Sequence, residues 1–129
     1  MKKENVIKIC QEVLPKIEKF YGMSKHHKST PWLDVENSIY AKLMGEEVDD
    51  EDGEESPDAE YDHDENVISI FYPKMRSKQH VIMSLIHEYT HYLQSPSWYK
   101  RYYTMGYNYL NHPYELAALE AEKDWKLFC

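Results

Sequence analysis

The chain has 129 residues, 42% hydrophobic and 14% aromatic, which suits one domain (1–129) with a modest core and excludes global disorder. Its net charge of −8 averages two unlike parts: residues 45–65 hold 13 of the 23 acidic residues and no Lys or Arg, leaving 10 acidic against 15 basic residues elsewhere. Those basic residues are scattered, so no nucleic-acid partner is expected, and no apolar run approaches the roughly 18 residues that would span a membrane.

Lys2 and Lys3 imitate the start of a secretory leader, but Glu4, Lys8 and Glu12 interrupt the apolar stretch that would have to follow. Cys10 and Cys129 lie far apart and form no CxxC pair, so two unpaired thiols in a reducing, cytoplasmic setting are expected. Residues 3–21 carry Val6, Ile9, Val13, Ile17 and Phe20 at three- and four-residue steps, the pattern of an amphipathic helix. Pro15 should kink or restart it, and Gly22 can end it. Residues 23–31 form a polar, basic connector in which His26 and His27 read as solvated side chains. Over 32–44, Thr30-Pro31 looks like a helix start, whereas Leu33-Asp34-Val35-Glu36 alternates like a strand. A short strand and then a helical turn or two are expected.

Residues 45–60 are the acidic insert, where like charges repel and Gly53 and Pro57 break any periodicity. They read as a mobile loop that could contact a basic partner. Asp62, Asp64 and Asn66 match the first three ligand positions of an EF-hand. Val67 stands where that loop needs glycine and Pro73 where it needs Glu, so this reading is excluded. Tyr61-Asp62 and Val67–Tyr72 flank a turn-like His63-Asp64-Glu65-Asn66, which predicts a β-hairpin. Pro73 ends the second strand, and Ser77 can cap a helix over about 78–95.

That helix contains Leu85-Ile86-His87-Glu88-Tyr89-Thr90-His91-Tyr92-Leu93, a His-Glu-x-x-His pattern. Helical geometry projects His87 and His91 from one face about 6 Å apart along the axis, close enough for both imidazoles to bind one Zn2+ ion. Glu88 then sits beside them to take a proton from a metal-activated water. With His87 at 0°, Lys78, Val81, Ile82, Leu85, Ile86, Tyr89, Tyr92 and Leu93 fall between roughly 120° and 260°, so the core and the His/Glu sector use different sides. His80 shares the polar side but lies two turns earlier, and reads as a surface histidine. A chance match to the pattern is expected in about 4% of shuffled chains of this composition, so the helical context is what gives it weight.

Pro96 is expected to end the motif helix. Residues 96–112 are rich in tyrosine, and a last helix should follow Pro113 with Asn111 or His112 as its cap. Ala117, Ala118 and Ala121 give that helix a small-residue side suited to close packing.

Strand Val67–Tyr72, His87-Glu88-Tyr89-Thr90-His91 and Asn111-His112-Pro113-Tyr114-Glu115-Leu116-Ala117-Ala118 together resemble the gluzincin zinc peptidases. The likeness is to the short bacterial and phage forms, such as the ImmA/IrrE-like proteases, and covers roughly residues 59–128. The resemblance implies an α+β, zincin-like fold: a small mixed sheet, an N-terminal helix, a motif helix and a C-terminal helix carrying the third metal ligand. In that family the third ligand is a Glu opening an E-x-x-A pattern, which here is Glu115 with Ala118. Glu120 is the next candidate and His112 a weaker one. The metzincin extension is absent, because position 97 is Ser. Where several gluzincins place an acidic residue to orient a zinc histidine, this chain has Leu119. Glu122, one turn on and on the same face, or a backbone carbonyl could replace it.

These residues predict a zinc metallopeptidase acting on a peptide or protein, with zinc on His87, His91 and Glu115 and with Glu88 as general base. A tyrosine from 99–109, Tyr114 or His112 would help stabilise the oxyanion. The alternative is a degenerate zincin-fold protein that holds metal and works as a binding module through its acidic loop.

Overall fold

The computed structural model describes residues 1–38 and 57–129. Helix α1, Lys3–Tyr21, buries Val6, Cys10, Val13, Leu14 and Ile17 along one stripe and ends at Gly22, whose φ of 81° suits a residue without a Cβ. Pro15 does not restart it. Both Pro15 and Gln11, whose carbonyl loses its usual N–H partner, lie on the exposed side, where water can replace the missing bond. Phe20, expected in the core, is 59% exposed and meets Tyr21 and Phe128 edge-on.

Strands β1 (Trp32–Glu36), β2 (Ala59–Asp62) and β3 (Val67–Phe71) form a mixed sheet of order β1-β3-β2. β1 runs parallel to β3 and β2 antiparallel to it, with Asp62 opposite Val67 at the hairpin end. Asp62 Oδ1 accepts from the backbone N–H groups of Asp64 and Glu65 at 3.0 and 3.2 Å, and Asn66 takes the left-handed conformation at φ 56°. The EF-like residues are thus the turn itself. The helical turn expected before Met44, and the acidic insert from 45 to 56, lie outside the described residues; Ala59 and Glu60 already belong to β2.

After a 3₁₀ turn, Tyr72–Lys74, Ser77 Oγ accepts from His80 N at 3.1 Å and opens α2, Lys78–Leu93. Val81, Ile82, Leu85, Ile86, Tyr89 and Tyr92 are fully buried in a core shared with α1, β3 and Phe128. Each such aliphatic side chain contributes about 1.5–3 kcal/mol by leaving water. The two tyrosine hydroxyls also tie down the connector: Tyr89 donates to the Gly22 carbonyl at 2.5 Å and Tyr92 to that of Ser29 at 2.8 Å. His27 is part of this arrangement rather than solvated. It stacks on Tyr92 at 5.3 Å, and its Nε2 lies 2.8 Å from Tyr61 Oη, which donates onward to Asn66.

Pro96 does not merely end α2. It occupies the first turn of α3, Pro96–Thr104, behind Ser95, whose hydroxyl accepts from Trp98 N at 3.3 Å. Helix α4, Pro113–Ala121, begins behind His112 in the same way and runs into a 3₁₀ segment, Glu122–Phe128. Four α-helices and three strands therefore make an α+β unit among the described residues, with α4 and the 3₁₀ segment packed along α2. None of the described helices is long and apolar enough to cross a membrane.

Candidate metal centre

The polar side of α2 opens into a cleft of about 280 Å³ walled by β2, the α2–α3 junction and α4. A ligand atom from each of His87, Glu88 and His91 lies within 4.8 Å of the others, so the group could hold a metal ion. Glu115 also touches both imidazoles: its Oε2 is 3.2 Å from His87 Nε2 and its Oε1 2.9 Å from His91 Nε2. In a tetrahedral zinc site with bonds near 2.0–2.1 Å, neighbouring ligand atoms stand about 3.3 Å apart. The two nitrogen-to-carboxylate separations are near that edge length. Glu115 adds a second carboxylate to this group, each imidazole Nε2 lying against one of its oxygens.

Each of these three side chains is held from behind. His87 Nδ1 is 2.9 Å from Glu122 Oε2, and His91 Nδ1 is 2.7 Å from Gln94 Oε1. Tyr99 Oη donates to Glu115 Oε1 at 2.6 Å. Leu119, where an acidic residue was looked for, is 54% exposed, and Glu122 one turn later reaches His87 instead.

The electrostatics follow from burial and pairing. Burial alone would lower the His87 pKa, but hydrogen bonds to Glu115 and Glu122 outweigh it and raise it to about 10. For Glu115, burial pushes the carboxyl up, yet the bonds from His87, His91 and Tyr99 hold it well below the usual carboxylate range. Glu88 is 7% exposed, and burial raises its carboxyl to about 7 against the opposing pull of His87 and His91. A carboxyl poised there can take and return a proton near neutral pH.

Other candidates fall away. Glu120 is exposed and paired with Lys123 at 2.8 Å. His112 is fully buried, accepting from Tyr114 N through Nδ1 at 3.1 Å and contacting the Tyr99 carbonyl through Nε2 at 2.8 Å. The Nδ1–acceptor, Nε2–donor tautomer satisfies both partners and leaves no lone pair for a metal. His80 pairs with Asp58 at 2.8 Å, away from the cleft. Of the tyrosines considered for the oxyanion, Tyr99 and Tyr109 line the cleft. Tyr99 donates to Glu115, and the more exposed Tyr109 also bears on that carboxylate: its hydroxyl is raised to about 12 by partial burial, by the charges of Glu115 and Glu88 and by a hydrogen bond to Glu115.

Gln94 and helix α3 were not anticipated from the sequence. Gln94 stands three positions after His91, a spacing that shares a helix face, and Ser95-Pro96 is a cap-and-first-turn pair; both signals were present. No protein-family model, curated protein or solved structure matches the chain, so the site is read from its own geometry.

Proposed function

We propose that the protein is a zinc-dependent metallopeptidase of gluzincin type on a zincin-like fold, acting on a peptide or protein substrate. The observation that carries this reading is the convergence of His87 Nε2 and His91 Nε2 on the Glu115 carboxylate, beside the buried Glu88. His87, His91 and Glu115 would hold the ion. Bound there, zinc supplies Lewis acidity, lowering the pKa of a water to about 7 and polarising a peptide carbonyl.

The chain's own residues do the rest. Glu88, buried beside the two histidines, accepts the proton of the attacking water and delivers it to the leaving amine. Tyr109 reaches the cleft beside Glu115 and Glu88 and donates to the oxyanion that develops on the substrate carbonyl. Ala59, Glu60 and Tyr61 of β2 form one wall, which suits an extended peptide laid along a strand. A protein that only bound metal and a partner would have no use for a buried base, which favours the enzyme over the binding module.

The test is metal analysis joined to one isosteric substitution. The purified protein should carry one zinc per chain and cleave an unfolded protein substrate. Glu88→Gln should keep the zinc and lose cleavage by about 10²- to 10⁴-fold. Cleavage by Glu88→Gln at the wild-type rate would overturn the assignment.

A further inference from the structure

Gln94 closes α2, its backbone N–H bonding to the His91 carbonyl at 3.2 Å. Its side chain bridges two elements. Oε1 lies 2.7 Å from His91 Nδ1, and Nε2 donates to the Tyr114 carbonyl at 3.0 Å, one residue before Glu115. A carbonyl oxygen can only accept, so the NH2 end of the amide must face Tyr114 and the oxygen must face His91. An amide oxygen in turn accepts only from a protonated nitrogen. His91 Nδ1 therefore keeps its proton, and Nε2, which in this structure donates to Glu115, is the nitrogen left to bind a metal once that proton leaves.

We propose that Gln94 is a positioning residue for the metal: it fixes the tautomer and ring orientation of His91, and through Tyr114 it sets the start of α4 against that ring. This rests on the metal-site reading above and extends it to a residue outside the His-Glu-x-x-His pattern. The two histidines are then held differently. His87 leans on the carboxylate of Glu122, whereas His91 leans on a neutral amide. One amide thus serves one ligand directly and the third ligand through the backbone.

Two measurements test this. In the zinc-loaded, ¹⁵N-labelled wild type, long-range proton–nitrogen correlation should show His91 with a protonated Nδ1 and a metal-bound Nε2; coordination through Nδ1 would overturn the proposal. Zinc affinity, measured by competition with a chromogenic chelator, should fall by about 10- to 100-fold in Gln94→Met, which keeps length but offers no acceptor oxygen. Gln94→Glu retains an acceptor for Nδ1 and should stay closer to wild type than Gln94→Met. Melting of the metal-free proteins controls for folding, and the wild-type spectrum decides the matter if Gln94→Met does not fold. A Gln94→Met protein binding zinc as tightly as wild type would overturn this role alone. A wild type that takes up no zinc would instead overturn the metal site itself.

Discussion

On one side of α2, Val81, Ile82, Leu85, Ile86, Tyr89 and Tyr92 are sealed against α1 and β3; on the other, His87 and His91 meet carboxylates, an amide and a tyrosine ring. The buried side is held by non-directional burial spread over many contacts. The cleft side is held by a few distances near 3 Å, and each of its partners comes from a different later segment: Gln94 from the end of α2, Tyr99 from α3, Glu115 from α4 and Glu122 from the 3₁₀ segment. The same helix is thus a structural beam on one side and a chemical scaffold on the other. Substitutions should separate the two, moving stability from one side and affinity or rate from the other.

The largest break is expected at Leu85→Ala, which should cost about 2–5 kcal/mol in urea unfolding while leaving one zinc per chain at saturating metal. On the cleft side, Tyr109→Phe should lower kcat about 10²- to 10³-fold with an unchanged melting temperature, which steady-state kinetics on the zinc-loaded protein would check. Glu122→Ala should weaken zinc about 10- to 100-fold in chelator competition, because His87 loses the group that orients it.

Cys10 sharpens the picture of the sealed side. Burial raises its thiol from 9.0 to about 12, so the folded state resists ionisation that the unfolded chain permits. Its contribution to stability is fully present below pH 9.0 and is lost as pH rises toward about 12. The loss runs at roughly 1.4 kcal/mol per pH unit, read as a falling denaturant midpoint that Cys10→Ala does not share. The smallest effect is expected at the helix start, where Ser77→Ala should cost about 1 kcal/mol and leave zinc affinity unaltered.

How legible these regions were follows from the same contrast. The buried side of α2 was readable because apolar residues at helical spacing state their own burial, and β3 and α1 were readable for similar reasons. The His87/Glu88/His91 group was legible as a spacing on one helix. Its partners were harder to see, because contacts between segments leave no periodic trace. Glu122 could be reached by counting turns along the last helix, whereas Gln94 carried no motif. Pro96 was taken as a stop when its place behind Ser95 made it a beginning, so α3 went unseen although it brings Tyr99 to Glu115. His27 was judged from its polar neighbours in sequence, while Tyr61 and Tyr92, which surround it in space, lie more than thirty positions away.

The spread of the centre along the chain has a consequence for its history in the cell. Glu115 follows His91 by 24 positions, so during synthesis at about 5–20 residues per second the two histidines exist for roughly one to five seconds before their carboxylate partner is made. Glu122 comes later still. Until α4 docks, the histidine pair is an open, two-pronged chelator with neither prong oriented. Once it docks, the Glu115 carboxylate touches both imidazoles. On the proposed reading the ligand set is complete only when α4 docks, so a metal ion would be the last part of the centre to be held.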